Sequence, residues 1–309
     1  MLALQILRFS AAVTPAPKYS SALVEPSSDT ASKMIPWTAA REPLPPPNGN
    51  VSCSHGMLRL PHATMPVCLL ENDFISNVVR ERGRWPDCDE LVTLWNSLPA
   101  GITPGSNFLE LGGNIGMCTL AMLASTDAKE LHVFEPSPEA LFYLTSNLRR
   151  AAEQGNDRWR VRERVKVYSV AASSAAGSTE LFTQNFNLGN AAVGTPVLDN
   201  PAHKGLYIRN VYNVTLARVD DVIPDSTRFR MAKIDVQGSE CSALAGMARL
   251  LRKRAVSVLR TEIGENFLRA QGCSGAKLIA MLEKSGFELE RAGGDETGVD
   301  VTARLKEPI

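Results

Sequence analysis

The chain has 309 residues, more than a typical single domain, which indicates one large domain with an additional segment. Its 33 Lys and Arg residues balance its 33 Asp and Glu residues, so the formal net charge is zero. Because the overall positive charge of most nucleic-acid-binding proteins is missing, we expect no nucleic-acid partner. The sequence has no run of about eighteen apolar residues, so we expect no transmembrane segment.

The first 50 residues are rich in Pro, Ser and Ala and end in PLPPPNGN, which favours extended polyproline geometry. We interpret residues 1–50 as a disordered tail and linker. Residues 1–24 contain basic side chains and no acidic ones, which suits an organellar transit peptide as well as an ordinary disordered terminus. Residues 51–100 are predicted to be a lead-in with a helix over DELVTLWNSL, and residues 101–309 to be the main domain.

Strands and helices alternate through the main domain. The predicted strands are NFLELGG, ELHVFEP, RVKVYSVAAS, RFRMAKIDVQG, AVSVLRTEIGE and FELERAG, and the helix SPEALFYLTSNLRRAAEQ has Ser137 as its predicted N-cap. This alternation predicts an α/β fold with a doubly wound, mostly parallel sheet. Residues 178–219 interrupt it with two segments of alternating polarity, STELFTQNF and VYNVTLARVD, which we expect to form an inserted β-hairpin or flap.

Six cysteines are scattered without a CxxC pair, and no His and carboxylate cluster has metal-ligand spacing, so we expect no metal. Cys118 and Cys241 fall within predicted helices and are expected to be buried thiols. Three further cysteines lie upstream, where a disulfide is possible in an oxidising compartment: Cys53, Cys68 and Cys88. The triplets Asn50-Val51-Ser52 and Asn213-Val214-Thr215 match the N-glycosylation pattern, which is also common by chance.

The segment NFLELGGNIGM joins a predicted strand to a predicted helix through a glycine-rich turn. Leu111 stands where a dinucleotide fingerprint needs its first glycine, and a carboxylate, Glu110, ends the strand. A carboxylate disfavours a pyrophosphate but suits the ammonium of an amino-acid moiety, such as that of S-adenosyl-L-methionine. We expect the cofactor to contact these turn residues: Glu110, Gly112, Gly113, Asn114 and Gly116.

The second predicted strand ends in Glu135 and Pro136, about twenty residues after the last glycine of the turn. A carboxylate at this position can accept hydrogen bonds from both ribose hydroxyls of an adenosine, which suits NAD as well as S-adenosylmethionine. The third strand ends in the small apolar residues Ala171 and Ala172, where we expect the adenine ring to lie.

Four segments, in their order and spacing, resemble the FkbM-type S-adenosylmethionine-dependent methyltransferases: FLELGGNIG, HVFEPSPEALFYLTSNL, VYSVAASSAAGSTELF and LARVDDVIPDSTRFRMAKIDVQGSECSALAGM. That family typically shows DVGANIG, FEPxPxxxxxLxxN, an A-V-S/G-D strand end, LDD and KIDVEGAE. The resemblance covers roughly residues 70–265. It implies a Class I methyltransferase (Rossmann-like) fold and, usually, O-methylation of a sugar or a secondary metabolite.

The sequence departs from this family pattern at three positions. Glu110 replaces the usual Asp, Gly113 the usual Ala, and Gln237 the Glu of KIDVEG, which removes a carboxylate near the expected reaction centre. Because this carboxylate is missing at Gln237, a non-catalytic, methyltransferase-like interaction protein is one alternative function. An NAD-dependent oxidoreductase is a second alternative, supported by Glu135 and opposed by Glu110 and the missing glycine.

Three carboxylates are candidates for the catalytic side of the site. We expect Asp235, at the end of the fourth strand, to contact the cofactor and to act as general base or acceptor-orienting group, although it could instead cap the next helix. Glu240 could cap the same helix or line the acceptor pocket, and Glu262 ends the fifth strand. Lys233 is expected to pair with a carboxylate. We expect the methyl acceptor to be a small molecule or a glycan.

Five further polar residues lie in or near these motifs. Asn114 and Thr119 are candidates to contact the methionine carboxylate of the cofactor. His132 is expected to be a core histidine, His203 is a weak candidate for contact with the acceptor, and Asn147 is expected to help end its helix.

Overall fold

The computed structural model describes residues 36–47, 51–99, 106–154, 156–197, 208–294 and 298–306. Residues 1–35 and 48–50 of the predicted tail, and also His203, lie outside these ranges. Residues 36–47, which the sequence assigned to the linker, pack on the main domain, where Trp37 and Ala39 are buried. The backbone amide of Trp37 donates to the carbonyl of Val167 at 2.7 Å, and the amide of Val167 donates back at 2.9 Å.

Residues 51–99 contain a β-hairpin and two helices: β1 (Ser54–Leu60), β2 (Ala63–Leu69), α1 (Phe74–Arg82) and α2 (Pro86–Ser97). α2 is the predicted helix, and its residues Leu91 and Trp95 are buried as the periodicity indicates. The hairpin and α1 were not predicted as elements. All four elements contribute to a hydrophobic core that they share with the main domain.

The main domain begins with β3 (Asn107–Leu111), α3 (Met117–Ser125), β4 (Leu131–Phe134), α4 (Pro138–Glu153), α5 (Val161–Arg164) and β5 (Val165–Tyr168). An inserted segment follows with β6 (Ala171–Ala172), β7 (Gly177–Gln184), β8 (Ala192–Val193) and β9 (Ile208–Ala217). The remaining elements are α6 (Val219–Val222), β10 (Phe229–Ile234), α7 (Glu240–Gly246), α8 (Ala248–Arg252), β11 (Val256–Ile263), α9 (Glu265–Ala270), α10 (Gly275–Lys284), β12 (Phe287–Gly294) and β13 (Val299–Leu305). Within the described ranges, none of the helices has the length and apolar character to span a bilayer.

The central sheet has seven strands in the order β12-β13-β11-β10-β3-β4-β5. The pairs from β11 to β5 are parallel, whereas β13 runs antiparallel to both β11 and β12. The strand order reverses between β3 and β10, so the carboxyl ends of these two strands form the switch point where doubly wound sheets bind ligands. The predicted α/β class and mostly parallel sheet are confirmed.

The predicted flap is also confirmed as a separate sheet of four strands in the order β6-β9-β7-β8. β7 and β9 form its antiparallel hairpin, and Leu181, Tyr212 and Val214 form a small core within it. The third predicted strand, RVKVYSVAAS, is divided between the sheets, because β5 belongs to the central sheet and β6 pairs with β9.

Two predictions about α-helical residues are corrected by their packing. The helix predicted from residue 239 to residue 254 is divided into two helices at Met247. Beside this point, Gly246 packs closely on the segment that contains Ser173, and a Cβ on Gly246 would lie 2.1 Å from the carbonyl oxygen of Ser173. Asn147 does not end its helix; its amide exchanges hydrogen bonds with the backbone of Cys68 and donates to the carbonyl of Ile115. Ser137 is the N-cap of α4, as predicted.

All six cysteines form disulfides, which pair Cys53 with Cys68, Cys88 with Cys118, and Cys241 with Cys273. The prediction that Cys118 and Cys241 are free buried thiols is therefore wrong, because a helical pattern does not show which distant cysteine lies opposite. The Cys88–Cys118 disulfide joins α2 of the lead-in to α3, the helix that follows the glycine-rich turn.

Candidate active site

A cavity of about 620 Å³ lies at the carboxyl edge of the central sheet, at the switch point between β3 and β10. The flap contributes Leu181 and Leu188 to its wall, and the lead-in contributes Phe74 and Trp85. Ten of the twelve predicted site residues line this cavity: Glu110, Gly112, Gly113, Asn114, Glu135, Pro136, Ala171, Ala172, Asp235 and Glu262. Gly116 and Glu240 do not line it.

We divide the cavity into two halves by the elements that build it. The cofactor half is formed at the ends of β3 and β4 and by β6, with Glu110, Gly112, Gly113, Asn114, Glu135, Pro136, Ala171 and Ala172. The acceptor half is formed by α2 and the ends of β10, β11 and β13, with Asp87, Lys233, Asp235, Arg260, Glu262 and Asp300.

The glycine-rich turn packs tightly on neighbouring parts of the protein. Gly112 has a φ of 91°, and a Cβ on it would lie 1.9 Å from the carbonyl oxygen of Asp235. Gly116 has a φ of 87°, and a Cβ there would lie 2.6 Å from the side chain of Leu144. The glycines are therefore required by contacts within the protein, whereas the sequence led us to expect only a close approach to the ligand.

Glu135 follows β4 and is held by the backbone of the two turns beside it. Its Oε2 accepts a hydrogen bond from the amide of Asn114 at 2.7 Å, and its Oε1 accepts one from the amide of Ser137 at 2.8 Å. Burial raises the pKa of Glu135 to about 7, although both backbone hydrogen bonds oppose this shift. Each oxygen has a second lone pair, so this fixed carboxylate can still accept hydrogen bonds from a ligand.

Glu110 is buried at the end of β3, and its Oε2 accepts a hydrogen bond from the hydroxyl of Thr119 at 2.6 Å. Burial raises its pKa to about 7, against the effect of Lys233 and of the Thr119 hydrogen bond. Thr119 is fully buried and does not line the cavity. It supports Glu110, whereas the sequence analysis named it as a candidate for contact with the cofactor. Asn114 has a φ of 46°, and its buried Oδ1 has no hydrogen-bond partner among the described residues.

Asp235 ends β10 at the junction of the two halves. Its Oδ2 accepts a hydrogen bond from Lys233 at 3.0 Å, and its Oδ1 accepts one from the side-chain amide of Gln237 at 2.8 Å. Burial disfavours the charged form, but Lys233 and the hydrogen bonds from Lys233 and Gln237 lower the pKa of Asp235 below its ordinary value. Asp235 does not cap α7, whose N-cap is Ser239.

Lys233 lies 3.9 Å from Glu110 as well as within hydrogen-bond distance of Asp235. Burial opposes its charge, yet the two carboxylates raise its pKa. The predicted pairing of Lys233 with a carboxylate is confirmed, and the lysine joins the acidic groups of the two halves.

Glu240 is buried beside the site, and the structure does not support the catalytic role predicted for it. Its Oε1 accepts hydrogen bonds from the backbone amides of Val236 at 3.0 Å and Gly238 at 3.2 Å. Glu240 thus fixes the loop between β10 and α7 and does not line the cavity, whereas the sequence suggested a helix cap or a pocket residue. Burial raises the pKa of Glu240 to about 7.

Glu262 lines the acceptor half together with two carboxylates that the sequence did not single out, Asp87 and Asp300. Burial, reinforced by Asp235, Asp300 and Glu240, raises the pKa of Glu262 to about 8. Burial also raises the pKa of Asp87 and of Asp300. These residues meet only when α2 and β13 pack beside β10 and β11, so no sequence motif connects them.

Arg260 of β11 binds two carboxylates at the edge of the acceptor half. Its guanidinium lies 2.8 Å from Glu90 of α2 and 3.0 Å from Asp300 of β13. It also donates to the hydroxyl of Thr302 at 3.2 Å. This network fastens the lead-in to the antiparallel end of the central sheet.

The charges of the cavity suit a positively charged group better than a phosphate. Among the cavity residues that the structure describes, the basic side chains are Lys233 and Arg260, and both are paired with carboxylates. Glu110, Glu135 and the unpartnered Oδ1 of Asn114 offer acceptors to an ammonium or to hydroxyls. This set of hydrogen-bond acceptors suits S-adenosylmethionine, which carries an ammonium group and ribose hydroxyls and no phosphate.

His132 is a core histidine, as predicted, and lies between Tyr168 and Glu130 at 3.1 Å from each. Burial, together with Lys166, lowers the pKa of His132 to about 4, so the side chain is neutral at pH 7.

A family model and several solved structures match the chain. Residues 110–289 match the model of the methyltransferase FkbM domain. No curated protein sequence matches the chain significantly.

Solved structures give more distant similarities. The methyltransferase FkbM from Methylobacillus flagellatus KT is 15% identical with a TM-score of 0.44, over 75% of this chain and 60% of that one. The delta-N METTL16 methyltransferase domain is 12% identical with a TM-score of 0.41, over 75% of this chain and 93% of that one. The N-terminal domain of EvdMO1, crystallised with SAH and D-fucose, is 14% identical with a TM-score of 0.36, over 72% and 82% of the two chains.

The chain thus spans less than two thirds of the length of the first of these structures. The family model extends from Glu110 of the glycine-rich turn to Leu289 of β12, which is more than half of the sequence. It includes both halves of the cavity except Asp87 and Asp300. The chain belongs to the FkbM methyltransferase family and has its Class I, Rossmann-like methyltransferase fold.

Proposed function

We propose that the protein transfers a methyl group from S-adenosylmethionine to a hydroxyl of a small molecule or glycan. The observation that carries this proposal is the position of Asp235, at the end of β10 between a cofactor half and an acceptor half that share one cavity. S-adenosylmethionine would supply a methyl group on a positively charged sulfur, and the sulfur leaves readily as a neutral thioether. The protein must therefore align the acceptor and remove its proton.

The cofactor half would bind S-adenosylmethionine through three kinds of contact. Glu135 would accept hydrogen bonds from the ribose hydroxyls, and Ala171 and Ala172 would pack against the adenine. Glu110 and the Oδ1 of Asn114 would face the ammonium group of the methionine moiety. The fixed backbone hydrogen bonds of Glu135 support this assignment, because they hold the carboxylate in place before the ligand arrives.

In the acceptor half, the two carboxylates at the strand ends would have different roles. Lys233 lowers the pKa of Asp235 and keeps this carboxylate ionised. Asp235 is therefore a weak base but a constant hydrogen-bond acceptor for the substrate hydroxyl. Glu262, whose pKa is raised to about 8, is closer to the pKa that suits proton removal near neutral pH. We therefore assign orientation of the acceptor to Asp235 and proton removal to Glu262.

The walls of the acceptor half favour a neutral or cationic acceptor over a nucleic acid. The carboxylates Asp87, Asp235 and Asp300 would oppose the approach of a phosphate backbone. At the wall toward the lead-in, the exposed Phe74 makes an edge-to-face contact with Trp85, and their apolar surfaces suit one face of a ring. Acidic hydrogen-bond acceptors beside an aromatic surface are consistent with a polyhydroxylated acceptor.

The replacement of the family Glu by Gln237 does not favour a non-catalytic protein. Gln237 donates a hydrogen bond to Asp235, so the residue supports the carboxylate that the reaction needs. The NAD alternative is disfavoured because a pyrophosphate would meet Glu110, and the basic groups nearby are already paired.

Calorimetric titration of the full chain with S-adenosylmethionine and S-adenosylhomocysteine tests the cofactor. We expect micromolar binding, weakened at least about tenfold by Glu135→Gln. Glu153→Gln, an exposed ion-pair residue at the end of α4, is the matched control and should bind like the unmodified chain. Binding of NADH with no binding of either methionine derivative by the folded chain would contradict the proposal.

A further inference from the structure

The pairing of every cysteine points to the compartment in which the chain matures. The three disulfides join cysteines 15, 30 and 32 residues apart and connect β1 to β2, α2 to α3, and α7 to the start of α10. Disulfides of this structural kind form and persist in oxidising compartments, whereas the cytosol keeps thiols reduced. The pairing of all six cysteines therefore favours an oxidising compartment, and the secretory pathway of eukaryotic cells is one in which N-linked glycans are also attached.

The triplet Asn213-Val214-Thr215 lies on β9 of the flap, in an extended strand. Asn213 is exposed and lies opposite Glu180 of β7, which is also exposed. Thr215 lies two residues further along the strand and supplies the hydroxyl of the acceptor pattern. The site has the right residue types, and the exposure of Asn213 leaves room for a glycan on the finished flap.

The two faces of this strand have opposite environments. Tyr212 and Val214 point into the small core of the flap with Leu181, and Leu181 lines the cavity. Asn213 is on the other face, next to the apolar side chain of Val211, which is 42% exposed. A glycan on Asn213 would point away from the cavity and could cover this apolar surface.

We propose that Asn213 carries an N-linked glycan, added while the chain enters an oxidising secretory compartment. In this step a bond forms between Nδ2 of Asn213 and the anomeric carbon of a lipid-linked oligosaccharide. The bond from that carbon to the lipid diphosphate breaks, the diphosphate leaves with the electron pair, and a base of the transferase takes the amide proton. Because addition precedes folding, the burial of Thr215 in the finished flap does not obstruct it.

The test is made on the full chain produced in eukaryotic cells, with Asn50→Gln in every variant to remove the other triplet. Thr215→Val removes the hydroxyl of the acceptor pattern with little change of shape, whereas Thr215→Ser keeps a working pattern. Glycan removal with peptide N-glycosidase, followed by mass spectrometry of the Asn213 peptide, reports occupancy. Thiol labelling of the denatured, unreduced chain reports the cysteines independently.

We expect a glycan on Asn213 in the Asn50→Gln and Thr215→Ser chains, its loss in Thr215→Val and in Asn213→Gln, and no labelled thiol. The variants with and without the glycan should bind S-adenosylhomocysteine equally. Equal binding would show that the glycan is not missing because the chain is misfolded. An unmodified Asn213 in a chain with all disulfides formed would overturn the glycan site. Six labelled thiols without a glycan would overturn the compartment as well.

Discussion

The residues of the two halves of the cavity are held in place by different interactions. In the cofactor half, backbone amides fix Glu135, and Gly112 lies directly against the backbone of Asp235. In the acceptor half, ion pairs set the geometry, with Arg260 bound to Glu90 and Asp300. Backbone contacts depend on conformation, and ion pairs between side chains depend on charge and pH.

This difference implies that cofactor binding and turnover can be disturbed separately. A change of backbone shape should abolish binding of the cofactor, whereas a change of charge at the ends of β10 and β11 should affect the reaction. The predictions below test that separation.

The largest effect is expected from Asp235→Asn, which removes the charge at the junction of the halves. We expect kcat to fall by about 10²- to 10⁴-fold, because the acceptor hydroxyl loses its charged partner. The affinity for S-adenosylhomocysteine should stay within about tenfold of that of the unmodified chain. Turnover assays and calorimetry measure the two quantities, and equal losses in both would show that the halves are not separable.

Gly112→Ala should act in the opposite way, through the backbone. With a φ of 91° and a carbonyl oxygen 1.9 Å from the new Cβ, the turn must move. We expect the free energy of unfolding to fall by about 3 kcal/mol or more, and binding of S-adenosylhomocysteine to be lost. Gly177→Ala, where a Cβ would meet no atom within 4 Å, is the control in denaturant titrations. A Gly112→Ala chain with normal affinity would refute the backbone argument.

The Cys88–Cys118 disulfide should stabilise the chain and place α2 at the acceptor half. Replacing both cysteines by Ser should lower the free energy of unfolding by about 3 kcal/mol and raise the KM for the acceptor. The matched control is the double Ser variant of Cys241 and Cys273, whose disulfide closes a loop of similar length away from the cavity lining. We expect similar destabilisation there without the change in KM, and an unchanged KM in both variants would count against this role of α2.

The smallest effect concerns the pH dependence of Glu262. Its pKa rises from 4.5 to about 8 on folding, so between these values the folded chain holds a proton that the unfolded chain has released. Stability from this group is therefore lost as the pH rises through this window. Glu262→Gln should flatten the fall of the unfolding free energy between pH 6 and pH 8 by up to about 1.4 kcal/mol per pH unit. Identical slopes for both chains, measured by denaturant titration, would contradict the shift.

If Glu262 is the base, kcat of the unmodified chain should also rise with pH toward pH 8, and Glu262→Gln should remove this rise. A variant that keeps both full turnover and the same pH profile would leave Glu262 without a catalytic role.

The cofactor half could be predicted because its residues follow consecutive strands. Glu110, Gly112 and Glu135 stand at the ends of β3 and β4, and adjacent parallel strands bring such ends together. The central sheet itself was predicted from the alternation of strands and helices, apart from β13, which follows the last predicted strand.

In the acceptor half, Asp235 and Glu262 could be predicted from their strand ends, but the other side chains could not. Asp87, Arg260 and Asp300 belong to α2, β11 and β13 and meet only through the strand order of the finished sheet. Glu240 shows a second limit, because an acidic residue at a helix start looks the same whether it binds nearby amides or faces a pocket. The β1–β2 hairpin was missed partly because Pro66 argues against a strand, except in a two-stranded sheet such as this one.

The backbone pairing of Trp37 with Val167 has a consequence for how the chain should be handled. β5 is the last strand on its side of the central sheet, and an uncovered outer strand offers its free amides and carbonyls to other molecules. Trp37 occupies part of this edge through its bridge with Val167, and Trp37 and Ala39 are buried in the hydrophobic core. A shortened chain that begins at residue 51 should therefore self-associate through β5, and light scattering would detect the larger particles.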